Sequence, residues 1–196
     1  YISSLAHEAF HVFQANQNPK MFEHAELVAG LEKQYPFDNA NLSNDWIEEL
    51  KILQQAGNIS NREEAAEVAR QFLESRSQRR QSAQLSRLLL DYERKREWLE
   101  GTAKYAELEI GKIAAQNKFL PLPDSNLKLG LRTYNSREKF WKTQITTMSK
   151  INMDGETLFY YSGFAQGVLL DYLMPEWKVR VLEGEYLEDL LAESIR

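Results

Sequence analysis

Between Ser60 and Asn117 the chain contains no proline, and its only glycines there are Gly101 and Gly111. So long a run without a breaker restricts this part of the molecule to one very long helix or two in tandem. Ser60-Asn61-Arg62-Glu63 reads as a capping box that starts it. Past the polar stretch ESRSQRRQSAQ (74–84), where a bend or an exposed middle is expected, Leu85, Leu88, Leu89, Tyr92 and Leu99 restore a helical period.

The flanking segments carry the same signal. Ser3 or Ser4 can cap a first helix reaching about Asn16, with Leu5, Ala9, Val12 and Phe13 as its apolar stripe. Pro19, Gly30 and Pro36 punctuate a mixed segment. A helix is expected from about Asp45 to Ala56, with Gly57 as its stop. Pro121 and Pro123 mark an irregular stretch. Further helices are expected near 136–149, 156–173 and 186–195. No strand pattern or repeat stands out, so the fold reads as mainly α. The 196 residues fit a single domain. Because a helical pattern begins within four residues of Tyr1, the chain is expected to be a fragment cut at its N-terminus.

Composition narrows the chemistry. There is no cysteine, so a tight transition-metal site must draw on Asp, Glu and the three histidines. Residues 76–96 hold seven Lys/Arg against Asp91 and Glu93, a net of +5 in a chain of net charge -5. Arginines at this density on a helix are read as a solvated face, and no nucleic-acid partner is expected. No apolar run is long enough to span a membrane.

Two of the histidines stand in His7-Glu8-Ala9-Phe10-His11, the pattern H-E-x-x-H. On a helix, positions i and i+4 lie about 40° apart around the axis, so both imidazoles can address one ion. Glu8, rotated about 100° from His7, is placed to act on a metal-bound water as general base and not as a ligand. A catalytic zinc takes a third protein ligand and keeps one position open. His24 is one candidate for that ligand.

The other candidate lies in WLEGTAKYAELE, residues 98–109. Glu100-Gly101-Thr102-Ala103-Lys104-Tyr105-Ala106-Glu107 resembles the E-G-x-A-x-Y-x-E signature of gluzincin zinc metallopeptidases, notably their aminopeptidase families. The resemblance implies that Glu100 is the third zinc ligand. Gly101 and Ala103 would let a second helix approach closely, and Glu107 could orient a ligating histidine or simply be an exposed helical glutamate. His11 and Glu100 are 89 positions apart, so the intervening helices are expected to form a long insertion that returns Glu100 to the metal.

Tyr160-Tyr161-Ser162-Gly163, followed by Val168-Leu169-Leu170-Asp171, is similar to the Y-x-K-G…LLD stretch of the same families, with Ser162 where lysine is usual. The resemblance implies that Tyr160 stabilises the oxyanion. Helical spacing puts Tyr160 on a face with Gly163, Gly167 and Asp171, and Tyr161 in a row with Ala165, Val168 and Tyr172 that reads as core. The expected activity is hydrolysis of a peptide or protein substrate, with zinc on His7, His11 and Glu100 and with Glu8 and Tyr160 as catalytic groups. The rival is a non-catalytic helical scaffold, or a degenerate relative, that binds a partner.

Overall fold

The computed structural model describes residues 2–116, 137–150 and 155–196, and among these it is helical without strands. The Pro121/Pro123 segment lies outside the described residues. In chain order the helices are α1 (Ile2–Gln17), α2 (Pro19–Leu27), α3 (Ala40–Leu53), α4 (Arg62–Ser82), α5 (Arg87–Arg96), a π turn (Glu97–Gly101), α6 (Thr102–Gln116), α7 (Arg137–Thr146), α8 (Thr157–Leu173), α9 (Trp177–Leu182) and α10 (Leu187–Ser194).

Local chemistry sets these boundaries. Pro19 occupies the first turn of α2, and the Asn18 side chain accepts from the Met21 amide at 3.1 Å. Asn39 caps α3 through the amides of Asn41 and Leu42, which starts the helix five residues before the expected Asp45. The capping box of α4 stands one residue later than Ser60/Glu63. Asn61 caps the Glu64 amide, and the Glu64 carboxylate accepts from the Ser60 amide at 2.8 Å. The long proline-free run breaks at Ala83–Ser86, where Gln84 has φ 51°, at the end of the polar stretch expected to bend.

Helix α8 is the hub. It is apolar around most of its circumference, and Leu158, Phe159, Phe164, Ala165, Leu169 and Leu170 are all buried. It packs against α6, the π turn, α4, α10 and α3. Phe159 is ringed by Tyr35, Trp46 and Tyr92 at centroid distances of 5.3–5.8 Å. The π turn and α8 approach closely where Gly101 meets Gly163 backbone to backbone.

Two expectations are overturned. The arginines of 76–96 are not a solvated face: Arg76, Arg79 and Arg96 are buried. Arg76 pairs with Glu49, Glu97 and Glu188, and Arg79 with Glu49 and Glu93. The Arg79 guanidinium also lies 3.7 Å from the centre of the Trp46 ring. Carboxylates distant in sequence thus surround Arg76 and Arg79 and offset the large cost of taking these cations out of water. The second concerns α1. Leu5, Val12 and Phe13 are 69%, 64% and 42% exposed, so the apolar stripe faces outward and the polar side of the helix faces in.

Candidate metal centre

Helix α1 lies along α6, and this contact carries the site. His7, Gln14 and, in part, His11 are buried on the inward side of α1. Opposite them stands Glu100, inside the π turn. Such turns interrupt the regular i→i+4 pairing of a helix and recur at functional sites.

Glu100 Oε2 is 3.2 Å from His7 Nε2 and 3.4 Å from His11 Nε2. One donor atom from each of the three residues lies within 4.8 Å of the others. Four tetrahedral ligands at the ~2.0–2.1 Å of zinc stand ~3.3 Å apart, so both measured separations have the length of a tetrahedral edge. Two imidazoles and a carboxylate also form the donor set that zinc takes in hydrolytic sites. The residues present therefore fit the ion. Positions 7, 11 and 100 converge as the sequence led us to expect. His24 does not join them and stands exposed on α2.

Each of the three has a polar supporter. Glu107 Oε2 lies 3.5 Å from His7 Nδ1 and is paired with Lys104 Nζ at 3.1 Å, which places Glu107 behind the site and not on the surface. Arg96 binds the other oxygen of Glu100 at 2.8 Å and is tied in turn to Glu156 at 2.6 Å. Gln14, fully buried, has Oε1 2.9 Å from His11 Nδ1. The sequence reading did not single out Gln14 or Arg96. A glutamine on an amphipathic helix has no distinguishing spacing, and Arg96 was absorbed into the basic stripe.

The cluster is strongly polarised. Burial alone would lower the pKa of His7, but hydrogen bonds to Glu100 and Glu107 and their charges raise it to about 9. His11 is raised in the same way, against its burial, by Glu100 and Gln14. For Glu100, burial works upward and is outweighed by His11, His7, Tyr160 and Arg96, so its carboxyl is held far below the usual range.

Tyr160 stacks on the His7 ring, with centroids 5.5 Å apart and planes 7° from parallel, and its hydroxyl hydrogen-bonds Glu100. Glu8 is exposed on α1 beside His7. Tyr161 is half-buried and packs against the edge of the core, while its hydroxyl donates to Gln144 Oε1 on α7 at 2.8 Å. Its row is mixed: Ala165 and Val168 are buried and Tyr172 is 40% exposed.

Ser162, at the position where the resembled stretch has lysine, is buried. It donates to Glu97 at 2.6 Å and accepts from Arg76 at 2.9 Å. A lysine there would bring a second cation against Arg76. Asp171 accepts hydrogen bonds from Tyr105 at 2.7 Å and Trp177 at 3.0 Å, tying α6 to α9 through α8.

Comparison with protein-family models, curated proteins and solved structures finds no match to this chain.

Proposed function

We propose that the chain is a zinc-dependent peptidase of gluzincin type, similar to the catalytic domain of the aminopeptidase families, with a long helical insertion between its metal ligands. The observation that carries this reading is the meeting of His7 and His11 with Glu100 across 89 positions, at separations suited to one tetrahedral ion. The two stretches that carry the resemblance also touch each other at Gly101 and Gly163.

His7, His11 and Glu100 would hold the zinc. The ion would supply Lewis acidity, polarising the scissile carbonyl and lowering the pKa of a bound water. Glu8 takes the proton of the attacking water and delivers it to the leaving amine nitrogen, so the peptide C–N bond breaks without releasing an amide anion. Tyr160 donates its hydroxyl proton in a hydrogen bond to the carbonyl oxygen as that oxygen gains charge. Burial and the Glu100 carboxylate both raise the Tyr160 pKa, which keeps the phenol protonated as such a donor must be. Glu107 and Arg96 hold His7 and Glu100 in place.

A second reading, a non-catalytic scaffold or degenerate relative that binds a partner, is favoured by one observation, the exposed row of Leu5, Val12 and Phe13. Zinc analysis of the purified protein, with peptide hydrolysis assayed with and without a chelator, separates the two. Stoichiometric zinc and chelator-sensitive hydrolysis are expected. Zinc without hydrolysis would favour the degenerate relative, and neither would leave the scaffold.

A further inference from the structure

Gln14 is the most completely used side chain near the metal centre, and the proposed mechanism gives it no role. It is fully buried. Its Nε2 lies 3.0 Å from the carbonyl oxygen of Trp98, 3.2 Å from that of Leu99 and 2.9 Å from Thr102 Oγ1. Its Oε1 lies 2.9 Å from His11 Nδ1. One amide thus joins α1 to both the π turn and the start of α6.

The orientation of this amide is fixed by chemistry. Main-chain carbonyls only accept, so the end of Gln14 facing Trp98 and Leu99 must be the NH₂ group. The end facing His11 is then the oxygen, which has no proton to give. His11 Nδ1 must therefore carry a hydrogen, and in the neutral ring the lone pair falls on Nε2. Nε2 is the atom that lies 3.4 Å from Glu100 Oε2. Had Gln14 been free to flip, His11 could present either nitrogen.

The same two carbonyls belong to the turn that carries Glu100. Thr102 already gives its amide to the Leu99 carbonyl and its hydroxyl to the Trp98 carbonyl at 2.6 Å, and Gln14 adds a second donor to each. Rotation of the turn would break its hold on them, and rotation of His11 would break its hold on Nδ1.

We infer that Gln14 is a positioning residue of the metal centre, selecting the His11 tautomer that offers Nε2, while its bonds to the turn fix its own orientation. This rests on the zinc reading above. The role differs from that of Glu107, which supports His7 from α6 and does not contact the π turn's carbonyls.

The test pairs two substitutions and reads zinc affinity, by competition with a chromophoric chelator, beside the thermal unfolding of the metal-free protein. Gln14→Met has similar length and can neither accept from His11 nor donate to the carbonyls. Its zinc affinity is expected to fall about 10–100-fold, the usual range for loss of a partner that orients a ligand. Gln14→Glu keeps an oxygen opposite His11 and gives up amide donors to the turn. It is expected to lose thermal stability while keeping the parent's zinc affinity. A merely structural glutamine would make affinity follow stability in both variants. If folded Gln14→Met binds zinc as tightly as the parent, the inference is overturned. Should Gln14→Met not fold, a Gln14→Glu protein whose affinity drops along with its stability overturns it equally. If the parent takes up no zinc, the metal reading itself has failed, and the positioning role goes with it.

Discussion

A Cβ placed on Gly101 would lie 2.5 Å from the Cα of Gly163, and one placed on Gly163 would lie 2.6 Å from the Cα of Gly101. Neither neighbour is the end of a flexible side chain, so neither backbone can yield without moving a helix. Gly101→Ala is therefore expected to destabilise the fold by about 3 kcal/mol or more, at the upper end of overpacking penalties. Gly111→Ala on α6 is the control. The atoms nearest its new methyl are those of the Arg137 side chain, at 3.5 Å or more, and removal of a helical glycine should stabilise by about 0.5–1 kcal/mol. Thermal unfolding of the two variants checks the contrast. Equal stability in both would mean that the π turn and α8 are not in backbone contact.

Glu8 and Glu100 are expected to separate catalysis from metal binding. Glu8→Gln removes the proposed base and leaves all three donors, so zinc should stay near stoichiometric while hydrolysis is almost lost. Glu100→Ala should weaken zinc binding itself. An alanine variant that holds zinc as tightly as the parent would show that Glu100 is not a ligand.

The adjacent tyrosines should behave differently. Tyr160→Phe keeps the stack on His7 and loses the hydroxyl, and is expected to lower kcat by roughly 10²–10³, the scale for one oxyanion donor. Tyr161→Phe loses the bond to Gln144 and should cost about 1 kcal/mol of stability with little change in turnover. The opposite pattern would mean that Tyr161 is the one facing the substrate.

Acid should dissolve the arginine network before it dissolves the apolar core. Burial alone would raise the Glu93 carboxyl, but Arg79, Arg80 and Arg76 outweigh it and hold it down to about 2. Glu188 is held at about 2 in the same way by Arg76, Arg80 and Arg94. Both folded pKa values lie below the ordinary carboxylate value of about 4.5. Their stabilisation is therefore fully present above pH ~4.5 and is lost as pH falls through ~2. The unfolding temperature should drop steeply across that window. Glu93→Gln should be less stable at pH 7, since it leaves Arg79 partly unpaired in the interior, and should lose less on acidification. A Glu93→Gln protein with the parent's pH profile would rule out this carboxylate as a source of the acid sensitivity.

How much of this was legible beforehand differs residue by residue. The i, i+4 spacing of His7 and His11 fixes a shared face whatever the tertiary structure, so that pair could be read directly. Glu100 was reachable only through the motif around it, since nothing local says that residue 100 returns to residue 7. The arginines were misread because sequence displays their charge but not their partners: Glu49 and Glu188 lie 27 and 112 positions from Arg76. On α1, apolar periodicity marked a face correctly and could not say whether the core takes that face or the one with His7 and Gln14. The ion cluster claimed the polar side, and Leu5 and Val12 were left outside.

The turn from Glu97 to Gly101 takes more residues than an α-helical turn does, and everything after it is delayed. With one residue to spare, α6 runs out of step with α5 by about 100°. Within either helix a substitution can be absorbed where it falls. Deleting one residue from this turn would instead restore the regular winding, and the two helices could no longer both keep their faces. Either Tyr105 and Leu108 would leave the interior, or Glu93 and Arg96 would swing away from their partners. At this point in the chain the count of residues is itself a structural specification, as binding as the glycine that closes the turn.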